Sequence, residues 1–201
     1  MSHHVIYVPG LGDHRSYGQH IVIQLWRVFG LRPHYFPLLW RSDEAFEDKL
    51  QRLVAHIDTV AANGNKVSLV GASAGASAVI NAYSARSKVI ASVVCICGKI
   101  QNPDKVDESY FIANPPFRKS IYMVKDSLDS LSKDQIARIM SIHPIYDPVV
   151  PVSETLIPGA VEKEIKTRGH AFSIFYTLIF GSRVIADFVK RSAIEQRISD
   201  Q

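Results

Sequence analysis

Residues 66–85 read KVSLVGASAGASAVINAYSA, and this stretch decides the fold. Val67, Leu69 and Val70 form an apolar run of strand character. It breaks at Gly71-Ala72-Ser73-Ala74-Gly75 and resumes as Ala76, Ala78, Val79, Ile80, Ala82 and Tyr83, small and apolar residues compatible with a helix. Strand, tight turn and helix in that order form the context that a G-x-S-x-G elbow requires. The central serine of such an elbow sits on a strained turn, and bulky neighbours would collide where strand and helix crowd together. Ala72 and Ala74 keep that space open. The alternative is a glycine-rich strand-to-helix loop whose serine merely caps the helix.

Upstream of the elbow, residues 4–8 read as a buried strand that runs into Pro9-Gly10-Leu11-Gly12-Asp13-His14, a glycine-bearing turn. Residues 19–29 carry Ile21, Val22, Leu25, Trp26 and Phe29 at helical spacing, and Gly30 stops that helix. Residues 32–39 contain Pro33 and Pro37, which fit an edge strand and its exit. Ser42 is an expected N-cap for a helix presenting Phe46, Leu50, Leu53, Val54, Ile57 and Val60, ended by Asn63-Gly64-Asn65.

Downstream, residues 89–96 are nearly continuous apolar sequence, as a central strand covered on both faces should be. Cys95 and Cys97 fall two apart there, so a strand through both would point them the same way, as buried free thiols with no further ligand at metal spacing. Residues 99–134 change character, with charges, Asn114-Pro115-Pro116 and scattered aromatics. They are too short for a separate cap domain and suit a small lid-like segment with a helix over 118–128. Apolar sequence returns at 136–145, followed by Asp147-Pro148-Val149-Val150-Pro151. An amphipathic strand is expected over 160–167, ending at Arg168-Gly169-His170. A last helix is expected over 171–190, with Gly181 an irregularity in it. Strands alternating with helices imply an α/β architecture: a three-layer sandwich with a mainly parallel sheet of about six strands and helices on both faces.

The chain has 201 residues, enough for one domain with a substantial core. Hydrophobic content of 47% and charged content of 21% are ordinary for a globular chain. The net charge of +4 comes from scattered Lys and Arg, with mild clusters at Lys163, Lys166, Arg168 and at Arg183, Lys190, Arg191, Arg197. These read as solvated faces, because nucleic-acid modules concentrate basic residues with interleaved aromatics. No apolar stretch is long enough to span a bilayer, and Met1-Ser2-His3-His4 runs into the first strand without an apolar signal core, so a cytoplasmic location is expected.

From the first strand to the final helix, the chain resembles the α/β-hydrolase superfamily. That superfamily orders its catalytic residues nucleophile, acid, histidine, and Ser73, Asp147 and His170 stand in that order. The resemblance implies a serine nucleophile at Ser73, a base at His170 and an orienting acid at Asp147, with Asp104 or Asp107 as alternatives for the acid. It implies an oxyanion hole from the amides of Ala74 and Leu11, although the family's common His-Gly pair before that turn is replaced here by Pro9-Gly10. Asp13 and His14 on the same loop read as a surface pair, with shaping of the pocket mouth as the alternative. Trp40 reads either as a mouth residue or, with the apolar segment 36–40, as an edge that pairs with another chain. The chain resembles a small, minimal member without the usual first two strands or a large cap. The implied activity is hydrolysis of small or medium carboxylic esters through an acyl-enzyme, without metal or organic cofactor. A thioesterase or acyltransferase using the same residues, and a non-catalytic binding protein on the same fold, are the alternatives.

Overall fold

Six strands form one sheet in the order β2-β1-β3-β4-β5-β6: β1 His3–Val8, β2 Leu31–Tyr35, β3 Lys66–Ala72, β4 Ile90–Ile96, β5 Ile139–Tyr146 and β6 Val161–Arg168. All neighbouring strands are parallel. The computed structural model describes residues 2–15, 17–62 and 64–199, with side chains through residue 196. Asn63 and the Arg197 side chain lie outside the described residues.

The alternation of side chains along each strand divides the core into two layers. Ile6, Val8, Val67, Leu69, Val93 and Cys95 face one side, where they meet α2 (Phe46–Ala61), α3 (Gly75–Ala85) and the short helices α4 (Glu108–Ala113), α5 (Pro115–Tyr122), α6 (Val124–Asp129) and α7 (Lys133–Ile136). Val5, Tyr7, Val70, Ala72, Val94 and Ile96 face the other side. They pack there on Ile23 and Trp26, and on α8 (His170–Ile179) and α9 (Ser182–Ser199). The strand order turns between β1 and β3, so the loops leaving these two strands open side by side at the carboxyl edge, where open parallel sheets bind ligands.

Local structure departs from the sequence pattern in several places, each with a physical cause. The expected helix over 19–29 is α1 (Tyr17–Val22) followed by a 3₁₀ helix, Ile23–Phe29. Ile23 and Trp26 are its buried residues, three apart as the 3₁₀ repeat dictates, whereas Ile21 and Leu25 are exposed. Trp26 Nε1 donates to the Leu178 carbonyl at 3.1 Å and so anchors the tighter winding. α2 begins at Phe46 without a side-chain cap, because Ser42 Oγ accepts from the buried Lys49 ammonium instead, at 2.5 Å. The helix expected over 118–128 is divided at Met123 into α5 and α6. The final helix is α8 and α9, bent by 66° around Gly181. A Cβ on Gly181 would lie 2.7 Å from the Thr177 carbonyl oxygen. β6 is present but mostly exposed, an edge strand guarded by Glu162, Lys163 and Glu164 rather than an amphipathic one.

The two cysteines are free and buried, but they do not share a face. Cys95 belongs to the α3 side and Cys97 to the α8 side. β4 ends at Ile96, and Cys97 adopts a left-handed φ of 48°, which turns its side chain across the sheet. Trp40 is likewise neither a mouth residue nor an exposed edge: it is fully buried, stacks on Phe46 and donates from Nε1 to the Pro9 carbonyl at 3.2 Å.

Candidate active site

Ser73 stands between β3 and α3 with φ at 52°, one of few non-glycine residues in the left-handed region. Such a conformation costs about 1–2 kcal/mol and must be imposed by its surroundings. Here the Ser73 N–H donates to the Ile96 carbonyl at 2.9 Å, and the Ser73 carbonyl accepts from the Ala76 N–H at 3.1 Å. The elbow also needs its neighbours stripped of side chains. A Cβ on Gly75 would lie 2.2 Å from the Val8 carbonyl oxygen, and one on Gly10 would lie 2.9 Å from Ser73 Cβ. Only glycine at these positions lets the β1 loop press against the serine turn.

His170 opens α8 immediately after β6, and its ring bridges two partners. Nε2 lies 2.8 Å from Ser73 Oγ, and Nδ1 lies 2.7 Å from Asp147 Oδ2. An ionised carboxylate only accepts, so Nδ1 carries the proton and donates it, leaving Nε2 free to accept from the serine hydroxyl. Asp147, which follows β5, is buried, and its other oxygen accepts from the N–H groups of Val149 at 2.9 Å and Val150 at 3.0 Å. Burial pushes this carboxyl upward, but the His170 hydrogen bond and the backbone donors outweigh it and hold its pKa below the ordinary value. The alternative acids have other partners, although Asp107 lines the same cavity as Ser73 and His170. Asp107 caps α4 through the Ser109 N–H, and Asp104 accepts from the Tyr122 hydroxyl.

Cys97 lies beneath this chain. Its sulfur, an Asp147 oxygen and a His170 nitrogen fall within 4.8 Å of one another, the spacing of a metal cluster. Their chemistry fits hydrogen bonding better than coordination. Both Asp147 oxygens already accept from donors, and burial, with the Asp147 charge beside it, raises the thiol pKa far above the thiolate range.

Ala74 is the N-cap residue of α3, so its amide belongs to the helix end whose N–H groups lack intrahelical acceptors. Leu11 lies in the turn closed by the Asp13 N–H on the Gly10 carbonyl at 3.1 Å. Both residues line the same cavity of about 680 Å³ as Ser73 and His170. Asp13 is not a surface residue: it is buried, and its carboxylate accepts from the N–H groups of Leu39 and Trp40, tying the Leu11 turn to the exit of β2. Its exposed neighbour His14 takes no part in the cavity wall.

The cavity is also lined by Lys105, Val106, Asp107, Tyr110 and Phe117, and by Lys99 and Glu154, a buried ion pair. Sequence reading missed this pair. Lys99 follows β4 and Glu154 sits in a 3₁₀ turn after β5, and only the adjacency of the two strand ends brings them together. The nearest signal was a lone lysine directly after an apolar strand.

No protein-family model and no curated protein matches the sequence. Solved structures do match the fold. A monoacylglycerol lipase from Paleococcus ferrophilus superposes with a TM-score of 0.62 at 15% identity, over 94% of this chain and 94% of that one. Est1E from Butyrivibrio proteoclasticus gives 0.68 at 14% identity, over 98% of this chain and 89% of that one. A meta-cleavage product hydrolase from Pseudomonas fluorescens gives 0.62 at 14% identity, over 95% and 92%. The chain has the α/β-hydrolase fold, in a form of 201 residues.

Proposed function

We propose that the chain is a serine hydrolase that cleaves carboxylic esters of small or medium acyl groups. The observation that carries this reading is the continuous hydrogen-bonded path from Ser73 Oγ through His170 to Asp147, with the serine held at a left-handed φ at the mouth of a cavity. A neutral serine hydroxyl attacks a carbonyl only when a base takes its proton, and His170 Nε2 is placed to do so. Asp147 keeps the imidazole in the required tautomer and stabilises the imidazolium. The oxyanion then meets the amides of Ala74 and Leu11, where one such donor is worth about 3–4 kcal/mol. His170 returns the proton to the departing alcohol and next activates water, which releases the acid and frees Ser73.

A cavity of about 680 Å³ suits a ligand of this size. Residues 99–134 act as the lid-like wall that selects the acyl group. The esterases and lipases among the structural neighbours support ester chemistry on this fold.

A fluorophosphonate probe, with the adduct located by mass spectrometry, tests the reading. The expected result is labelling at Ser73, lost in Ser73→Ala and His170→Ala together with turnover of short-chain aryl esters. A folded protein that neither labels nor turns over would overturn it in favour of ligand binding without catalysis. Matched thioesters and alcohol acceptors in the same assay separate esterase from thioesterase or acyltransferase.

A further inference from the structure

α8 is apolar on both of its sides. Ser173, Ile174, Thr177 and Leu178 face the core, while Phe172, Phe175, Tyr176 and Phe180, three and four residues apart, face outward. The outward rings form a row, with centroids 6.2 Å apart from Phe172 to Tyr176 and 5.1 Å apart from Tyr176 to Phe180. α1 packs alongside, its Gly18 directly under the Phe175 ring, and adds Tyr17 at 80% and Ile21 at 72% exposure. Single exposed apolar side chains are normal on a globular surface, whereas a contiguous aromatic patch of this kind marks an interaction site. This one also abuts the cavity, since Gln19 of α1 and Ala171 and Ile174 of α8 line it.

The charge on these segments is one-sided. Residues 14–42 contain Arg15, Arg27, Arg32 and Arg41 and no carboxylate, and residues 165–186 contain Lys166, Arg168 and Arg183 and no carboxylate. On neighbouring α9, Asp187 and Glu195 are each paired, with Arg183 and Arg191. An apolar, aromatic face preceded in the chain by Arg15 just before α1 and by Lys166 and Arg168 just before α8 is complementary to an anionic lipid surface: rings enter the headgroup boundary while these cations meet phosphates. A second copy of the chain would set these cations against their own kind.

We propose that the α1–α8 face docks on an anionic membrane surface and turns the cavity mouth toward it. The contact is peripheral. No single helix among the described residues is long and apolar enough to cross a membrane, and the inner face of α8 is already used by the core.

Co-sedimentation of the full chain with phosphatidylglycerol/phosphatidylcholine vesicles and with pure phosphatidylcholine vesicles tests this without reference to turnover. The paired substitution Phe172→Gln and Phe180→Gln touches two exposed rings, so its thermal midpoint should match the parent. The expected result is binding that favours the anionic vesicles, weakens severalfold between 0.1 and 0.5 M salt, and falls at least tenfold in the paired variant. Equal binding by the variant, or no vesicle binding by the parent, overturns the proposal. So does a concentration-dependent dimer, seen by light scattering, that the paired variant dissolves, because the face would then belong to a second copy.

Discussion

Replacing Asp147 by Asn changes one atom and reverses one hydrogen bond. The side-chain oxygen that accepts from Val149 and Val150 can stay in place, which leaves the loop after β5 intact. The amide nitrogen then occupies the position 2.7 Å from His170 Nδ1, a donor facing a donor. The imidazole relieves the clash by moving its proton to Nε2, and the ring then points N–H at Ser73 Oγ and cannot take the serine proton. A tautomer error of this kind costs about 10⁴-fold in kcat where a triad carboxylate has been changed to its amide, equivalent to about 5 kcal/mol of barrier. The assay is steady-state hydrolysis of aryl acetates and butyrates by the parent, Asp147→Asn and Asp107→Asn, with thermal midpoints measured alongside. The proposed roles require kcat to collapse in Asp147→Asn alone, with KM and midpoint little changed. A folded Asp147→Asn enzyme keeping more than about a tenth of the parent kcat, well above the expected loss, refutes the reasoning, as does an equal fall in Asp107→Asn.

Gly10→Ala places a methyl 2.9 Å from Ser73 Cβ and 3.2 Å from the Ala72 oxygen, so the Leu11 turn must retreat from the serine. Ester turnover should fall at least 10²-fold, as for a lost oxyanion donor, against a stability cost of about 1–3 kcal/mol, read by denaturant melts beside kinetics. Lys99→Met leaves Glu154 buried without its cation and should destabilise the fold by about 3–5 kcal/mol. Adding Glu154→Leu should recover much of that, and a double variant no better than the single would show that the charge pair is not the cause. Acid should weaken the fold well above the carboxylate range. Burial, with Lys190, His4 and Lys66 nearby, lowers His3 from 6.5 to about 4. The unfolded chain therefore binds the extra proton first, and His3's contribution is complete above pH 6.5 and lost as pH falls toward 4. At 1.36 kcal/mol per pH unit the loss is on the order of 3 kcal/mol. Denaturant melts at pH 7 and pH 4.5 should show it, and His3→Gln should flatten the dependence.

The local reading succeeded where steric rules act over a few residues. G-A-S-A-G between an apolar run and a small-residue helix implies a tight elbow, because only small side chains fit where Gly75 meets the Val8 carbonyl. The alternation of strand and helix implied a parallel sheet, and β1 to β6 form one. Local reading failed where long-range packing competes with pattern. Helical spacing in 19–29 marked Trp26, Val22 and Phe29 correctly as packing residues, but it included the exposed Ile21 and Leu25 and passed over the buried Ile23, because the segment winds as a 3₁₀ helix anchored by Trp26 on a carbonyl 152 residues away. Strand alternation placed Cys95 and Cys97 on one side, but β4 ends between them.

Sequence by itself determined the six strands and the order in which Ser73, Asp147 and His170 follow theirs, because these depend on periodicity, turn chemistry and short-range exclusion. Tertiary structure decided which carboxylate meets His170, that Asp13 is buried, that Lys99 meets Glu154, and where the aromatic row of α8 lies. Ser73 and His170 are 97 residues apart and Lys99 and Glu154 are 55 apart. Contacts across such distances come from the strand order β1-β3-β4-β5-β6, which sets these loops beside one another at one edge of the sheet. No local pattern encodes that order, since it arises from burying both faces of the sheet at once.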